Sequence, residues 1–225
     1  MTVILILLTV TLFMTLDYIF GRKHAREAAM QPIAAEPTPV PIAAEPVWVG
    51  GYQLPEDLRY HPGHVWVRPL GADTVAVGID DFARRLVGTA KEMVLPEVGA
   101  TLAAGQPAFR IVADGNGSDL VAPLTGEVLE VNPRLEAQPA LATDEPYGRG
   151  WLVKMRTRDL SSGLRNLMSG SLARRWTEDA RERLDMQLMA LSGSVLQDGG
   201  EPVADFARHL SEEDRKRLVK EFLLT

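Results

Sequence analysis

Two histidines close in sequence could bind a metal ion. His61 and His64 form an H-x-x-H pair at the entrance to a predicted strand, and imidazole nitrogens are common metal ligands. The sequence offers no evident third ligand beside them. A packed or hydrogen-bonded histidine is therefore the favoured interpretation of each, and no metal site is predicted here.

A second group of polar residues has the alternating spacing of a calcium loop. Asp114, Asn116 and Ser118 occupy positions one, three and five of such a loop. An EF-hand also needs glycine at position six and an acidic ligand at position twelve. Those positions hold Asp119 and Thr125, and the flanking segments read as strands. The pattern favours a turn between two strands over a calcium site.

Composition excludes several classes of function. The 225 residues include no cysteine, so disulfides, thiolate catalysis and cysteine-ligated metals are excluded. The formal net charge of −6 argues against a nucleic-acid partner, because such proteins usually present a basic face. No Ser-His-Asp or paired-carboxylate arrangement can be assigned from the sequence. We therefore expect a protein that is not an enzyme.

The middle of the chain is predicted to be rich in β-strands. Short apolar runs bounded by turns recur about every ten residues, a spacing typical of a sandwich or small barrel. The runs are HVWVRP, DTVAVGI, AFRIVA, LVAPLTGEVLEV and WLVKMRT. The stretch DDFARRLVG interrupts them and predicts one short helix.

Five stretches in a fixed order carry a family resemblance. They are YHPGHVWV, DTVAVGIDDFA, LPEVGATLAAG, SDLVAPLTGEVLEVN and EPYGRGWLVK, within residues 60–154. Together they resemble the H protein of the glycine cleavage system. The resemblance implies a barrel-sandwich hybrid fold and a carrier function, in which a lysine at the tip of a β-hairpin holds a lipoyl arm.

The lipoyl lysine of that family has no counterpart in this sequence. Counting back from Ser118 and Asp119 without gaps places the lysine position at Gly115. The chain has five lysines, and none falls in the predicted hairpin: Lys23, Lys91, Lys154, Lys216 and Lys220. The chain is thus predicted to be a degenerate family member without a cofactor. Asn116-Gly117, a strong two-residue hairpin signal, predicts the centre of the turn.

The C-terminal segment is predicted to be helical and outside the resemblance. Apolar residues recur every four positions, which forms a slowly drifting stripe on a helix. The stripe consists of Leu164, Met168, Leu172, Trp176, Ala180, Leu184 and Leu188. Trp176 is the candidate interaction residue on it. A final helix is predicted after Ser211, which would be its N-cap.

The N-terminal segment is predicted to be a membrane anchor. Residues 2–20 are almost uniformly apolar and would form a helix about 28 Å long, close to the hydrocarbon thickness of a bilayer. Positive charges follow this run at Arg22, Lys23 and Arg26 instead of preceding it, which argues against a signal peptide. The same charges predict that the following residues face the cytoplasm.

Four regions follow from these patterns. Residues 1–21 are the predicted transmembrane anchor and 22–52 a linker rich in proline, alanine and glutamate. Residues 53–158 are the H-protein-like β domain and 159–225 a helical extension. The predicted class is mainly β (α+β). The expected function is a membrane-anchored, non-lipoylated interaction or scaffold module with an unidentified protein partner, and the alternative is a lipoyl-type carrier in glycine cleavage.

The anchor makes a testable prediction about membrane association. The protein should stay in the membrane fraction after a carbonate wash, because a helix that spans the bilayer is not removed by alkaline extraction. Protease should reach the β domain only from the cytoplasmic side. A soluble mature protein that begins after residue 25 would contradict the anchor.

Overall fold

A computed structural model describes residues 47–192 and 210–224 of the chain. The predicted anchor of residues 1–21 and most of the predicted linker lie outside these ranges. Among the described residues, no helix is both long enough and apolar enough to cross a bilayer.

Antiparallel β-structure dominates residues 47–158, and the β-rich middle of the chain is as predicted. The strands are β1 (Val47–Val49), β2 (Tyr52–Leu54), β3 (Arg59–His61), β4 (Val65–Pro69), β5 (Thr74–Ile79), β6 (Glu92–Val94), β7 (Thr101–Leu102), β8 (Pro107–Ala113), β9 (Asn116–Val121), β10 (Gly126–Val131) and β11 (Val153–Arg156). The helices are α1 (Asp81–Val87), α2 (Arg134–Ala137), α3 (Leu141–Asp144), α4 (Leu160–Arg165), α5 (Gly170–Ser192) and α6 (Glu212–Leu223). The prediction of a mainly β protein with C-terminal helices is confirmed.

The strands form three antiparallel sheets. A six-stranded sheet has the order β3-β4-β5-β11-β10-β7, and a three-stranded sheet has the order β6-β8-β9. The third sheet is the β1-β2 hairpin. This hairpin begins at Val47, inside the segment assigned to the linker, so β-structure is present before residue 53.

The six-stranded sheet is covered on both faces. Side chains alternate across a strand, so Val65 and Val67 of β4 face the main core while Trp66 faces a second apolar cluster. Trp66 is fully buried there, and its indole N–H donates to the carbonyl of Pro146 at 3.1 Å. Burial on both faces explains why HVWVRP reads as an almost continuous apolar run.

Helix α1 follows β5 directly and is capped at both ends. The carboxylate of Asp80 accepts the backbone N–H of Ala83 at 2.8 Å, which satisfies one free donor of the first turn. Gly88 ends the helix with a φ of 85°, a value that favours glycine. The short helix predicted from DDFARRLVG is therefore present.

The predicted C-terminal stripe is only partly observed. The buried side chains of α5 are Ala173, Thr177, Ala180 and Leu184, whereas Leu172 is 59% exposed. A strict step of four drifts by about 40° per step around a helix of 3.6 residues per turn. Leu172 therefore lies well away from the face that Ala180 buries. The observed stripe alternates steps of four and three and stays on one face.

Two residues of that predicted stripe lie before α5 begins. Met168 exchanges two backbone hydrogen bonds with Tyr60, each 2.9 Å long, and so extends the edge of the six-stranded sheet. Leu164 belongs to the separate helix α4. Gly170, with a φ of 54°, starts α5. Ser171 therefore lies inside the helix.

Trp176 is half-buried where α5 crosses the β domain. Its ring centroid lies 4.5 Å from that of His64 and 6.4 Å from that of Tyr60. Trp176→Ala should therefore lower the free energy of unfolding by about 2 kcal/mol, less than the cost of a fully buried tryptophan. Chemical denaturation measures the change.

Leu172→Ala is the matched control, since Leu172 lies one turn away on the exposed side of α5. Its effect should stay within about 0.5 kcal/mol. Equal stability of Trp176→Ala and the wild type would contradict the packing and leave Trp176 available to a partner.

Candidate functional site

The β8–β9 hairpin carries the position that the family resemblance marks as functional. Ala113 pairs with Asn116, so Asp114 and Gly115 form the two-residue turn. Their φ angles are 48° and 78°, and a type I′ turn requires positive φ at both positions. The hairpin is present as predicted, but its centre is Asp114-Gly115 and not Asn116-Gly117, which begins β9.

Asp-Gly and Asn-Gly are both favourable turn dipeptides, so the pairing register decides between them. In the predicted register, Arg110 would pair with Pro123. In the observed register β9 ends at Val121, and Arg110 pairs with Asp119. The turn therefore moves two residues towards the N-terminus.

The tip of the hairpin is open and polar. No atom lies within 4 Å of the place that a Cβ would take at Gly115. The Asn116 side-chain amide donates to the carbonyl of Asp114 at 3.1 Å. Across the strands, Arg110 and Asp119 form an exposed ion pair at 3.2 Å. The tip is accessible, but its turn carries no primary amine.

Lysines from other parts of the chain lie beside the hairpin. The backbone N–H of Lys91 donates to the carbonyl of Val112 at 2.8 Å, which places Lys91 next to the end of β8. On the other side, α6 contributes Lys216 and Lys220 to a depression of about 270 Å³ that Asn116–Asp119 also line. The sequence assigned Lys216 and Lys220 to a separate tail, so their position was not predicted.

Lys154, the remaining lysine of the β domain, is engaged elsewhere. Its amine donates to Glu130 at 2.8 Å and lies 4.7 Å from the ring centre of Trp151. The residue is almost completely buried. These contacts hold its amine away from solvent.

Helix α6 packs its apolar face against the β domain beside β9. Its buried side chains are Leu218, Val219, Phe222 and Leu223. Ser211 caps the helix as predicted, since its hydroxyl accepts the N–H of Asp214 at 3.1 Å. The spacing of these apolar residues was the available sequence signal for a packed helix, but it did not indicate which surface they cover.

His64 is packed and hydrogen-bonded, as the sequence analysis favoured. Its Nδ1 lies 2.8 Å from a carboxylate oxygen of Asp80, and both side chains are buried. The imidazole stacks on Phe82 with ring centroids 4.1 Å apart. The ring therefore lies between Phe82 on one side and Trp176 on the other.

His61 lies in a different environment. Its Nδ1 accepts the N–H of Gly63 at 3.0 Å. Burial, and then the neighbouring His64, hold the pKa of His61 below its ordinary value. The residue lines a depression of about 880 Å³ whose charged groups include Arg156 and Asp159, of opposite sign. No group of three or more potential ligands for a metal ion occurs in the described ranges.

The location of the turn makes a prediction about stability. Gly115→Ala should lower the free energy of unfolding by about 1 kcal/mol, because a residue with a Cβ disfavours a φ of 78°. Asn116→Ala is the control. Asn116 lies in the strand, so its substitution is expected to lower the free energy of unfolding by less. Thermal denaturation of both variants would show which substitution lowers the stability more. A larger loss for Asn116→Ala would contradict the observed register.

Comparison with known proteins identifies the β domain. Residues 58–180 match the model of the family described as glycine cleavage H-protein. The glycine cleavage system H protein of Mycobacterium avium is 44% identical over 109 residues, which are 48% of this chain and 83% of that protein. The H protein of Marinobacter nauticus is 39% identical over 107 residues, 48% of this chain and 82% of that protein.

A solved structure is also similar. The crystal structure of a glycine cleavage system H protein from Mycobacterium marinum has 30% sequence identity and a TM-score of 0.48 over 56% of this chain and 98% of its own. The family match extends beyond the β domain into α5 and ends at residue 180, so part of the helical extension lies within it. The match covers more than half of the sequence, and the chain belongs to the glycine cleavage H-protein family.

Proposed function

We propose that this protein is a non-lipoylated member of the H-protein family that acts by binding another protein. H proteins are carrier proteins and not enzymes. The observation that carries the proposal is the hairpin tip, where Asp114 and Gly115 form the turn and no lysine occurs between Lys91 and Lys154.

The chemistry of lipoate attachment explains why this position matters. Lipoate joins a carrier through an amide bond to a primary amine, and glycine has no side chain. The turn also uses Gly115 for its positive φ, which residues with a Cβ adopt at a cost. The residue at the family's attachment position thus maintains the turn and offers no group for acylation.

The β8–β9 hairpin is anchored in the hydrophobic core. Phe109, Ile111 and Leu120 of β8 and β9 are buried in the core, so the hairpin is built on a rigid base. Family membership implies partners among the proteins of the glycine cleavage system. A protein that keeps the fold without the attachment residue can still bind such a partner.

A lipoyl-type carrier is the second candidate. Similarity to curated H proteins favours it over the scaffold role, because more than four-fifths of their length is matched. The position of Lys216 and Lys220 beside Asn116–Asp119 provides one structural observation in its favour. Lys91, at the other side of the hairpin, is a further available amine. A carrier function would require one of these lysines in place of a residue in the turn.

We further propose that the N-terminal segment attaches the domain to a membrane. The support is the apolar run within residues 1–21, the basic residues that follow it, and the proline-rich segment after them. The β domain would then lie on the cytoplasmic side, at the inner membrane in a bacterium.

Intact-mass analysis distinguishes the two candidate functions. The full chain is co-expressed with a lipoyl ligase and lipoate, beside an H protein that has a lysine in its hairpin as the positive control. The control should gain one lipoyl group and this protein should gain none, because its turn lacks an amine.

Peptide mapping would locate any adduct that does form. Lys91→Arg, Lys216→Arg and Lys220→Arg keep the positive charge but remove the primary amine, so loss of the adduct in one variant would identify the attachment site. An adduct on any of these lysines would overturn the non-lipoylated function and establish the carrier.

A further inference from the structure

We propose that the surface beneath α6 is a groove for an amphipathic helix, occupied by α6 itself until a helix from a partner protein replaces it. The proposal rests on the protein-binding function above and assigns the surface that performs it. The contacts of α6, the floor of the groove and the connection to α5 each support it.

The floor of the groove consists of residues from three separate parts of the β domain. Phe222 of α6 packs against Phe82 with ring centroids 5.1 Å apart and lies 6.4 Å from His64. A Cβ at Gly63 would lie 2.9 Å from the side chain of Val121 and 3.2 Å from the carbonyl of Leu223. Glycine at position 63 therefore permits the close approach of the helix end.

Side-chain packing provides most of the attachment of α6. Leu218 and Leu223 are completely buried, Phe222 is 2% exposed and Val219 is 9% exposed. The guanidinium of Arg183 lies 5.3 Å from the ring centre of Phe222 and adds a contact from α5. Apolar burial is non-directional, so another helix with a similar face can make equivalent contacts.

The attachment of Met168 to β3 differs from that of α6, because it uses backbone hydrogen bonds. That segment exchanges two backbone hydrogen bonds of 2.9 Å with Tyr60 and continues the ladder of the sheet. The backbone groups of a helix are bonded within the helix, so α6 contributes mainly side chains to its contact. Replacement of α6 by another helix therefore leaves the strand pairing of the β domain intact.

The sequence between α5 and α6 permits this exchange. Helix α5 ends at Ser192 and the cap of α6 is Ser211. The intervening 18 residues can span at most about 60 Å. A displaced α6 would remain tethered near the groove and would compete with the incoming helix as an intramolecular ligand.

The resident helix also indicates the chemistry of the partner. Its apolar residues occupy positions i, i+1, i+4 and i+5 of one face, beginning at Leu218. Arg215, Lys216 and Lys220 line the depression beside Asn116–Asp119, so the resident helix presents a basic flank to the β8–β9 hairpin. The partner segment should therefore be a helix with one apolar face and a basic flank.

A fluorescent peptide with the sequence of residues 209–225 serves as the probe. It is titrated into the wild-type full chain and into a full chain with Leu218→Asp and Phe222→Asp. The double variant should bind the peptide at least about tenfold more tightly, because its own α6 no longer competes for the groove. A peptide with the same two substitutions should not bind either protein.

Arg217→Ala with Leu224→Ala is the matched control. Both residues are exposed on the same helix or at its end, so the control should bind the peptide as weakly as the wild type. Equal affinity of the wild type and of the Leu218→Asp, Phe222→Asp variant would overturn the proposal. Protection of β4 and β5 amides from hydrogen exchange shows that this variant is folded.

A measurement on the wild-type chain covers the case in which the double variant does not fold. Excess peptide should increase hydrogen exchange in residues 212–223 of the protein while the amides of β4 and β5 stay protected. Unchanged exchange in α6 would overturn the proposal. A wild-type dimer that the double variant does not form would also overturn it, since a second copy would then be the occupant.

These results are distinguishable from a failure of the proposed function. A lipoyl adduct would refute the non-lipoylated function without changing the affinity for the peptide. A groove that does not exchange its helix would refute the present proposal while the adduct stays absent.

Discussion

The buried hydrogen bond between His64 and Asp80 connects the parts of this fold. One carboxylate oxygen of Asp80 binds the imidazole and the other caps α1 through Ala83. The backbone N–H of Asp80 also donates to the carbonyl of His64 at 3.1 Å. His64 has a φ of 59°, an uncommon value for a residue with a Cβ, and these bonds hold it there. Removing either partner would leave a buried polar group unsatisfied, which would lower the free energy of unfolding by about 1–3 kcal/mol.

The same histidine gives the C-terminal helices a surface to pack on. Its imidazole lies between Phe82 and Trp176, and Phe222 contacts Phe82 from α6. Helices α5 and α6 thus both contact His64, and α6 also contacts Phe82 of α1. Helices α5 and α6 are therefore part of the folded domain, and the family match continues into α5, to residue 180.

The hairpin combines a pairing fixed by buried side chains with an open, polar tip. Residues that face the core, such as Ile111 and Leu120, still determine its pairing. At the tip, Asp114 and Gly115 satisfy the backbone requirement of the turn and contribute no amine. The nearby amines come from Lys91 and from α6, so the chemistry available at this site depends on segments that are distant in sequence.

The sequence by itself determined the longer strands (β4, β5 and β8–β11), helix α1, the cap at Ser211 and the family, because each depends on local periodicity or on motifs in a fixed order. It also showed that the hairpin contains no lysine. Only the tertiary structure decided the register of the hairpin, where Asp-Gly and Asn-Gly are locally equivalent turn dipeptides and the observed pairing of Ala113 with Asn116 selects Asp-Gly. Likewise, only the tertiary structure showed that Lys216 and Lys220 lie beside β9 and that Leu172 is exposed to solvent. Those outcomes depend on which surfaces meet across the chain, and local sequence patterns do not contain that information.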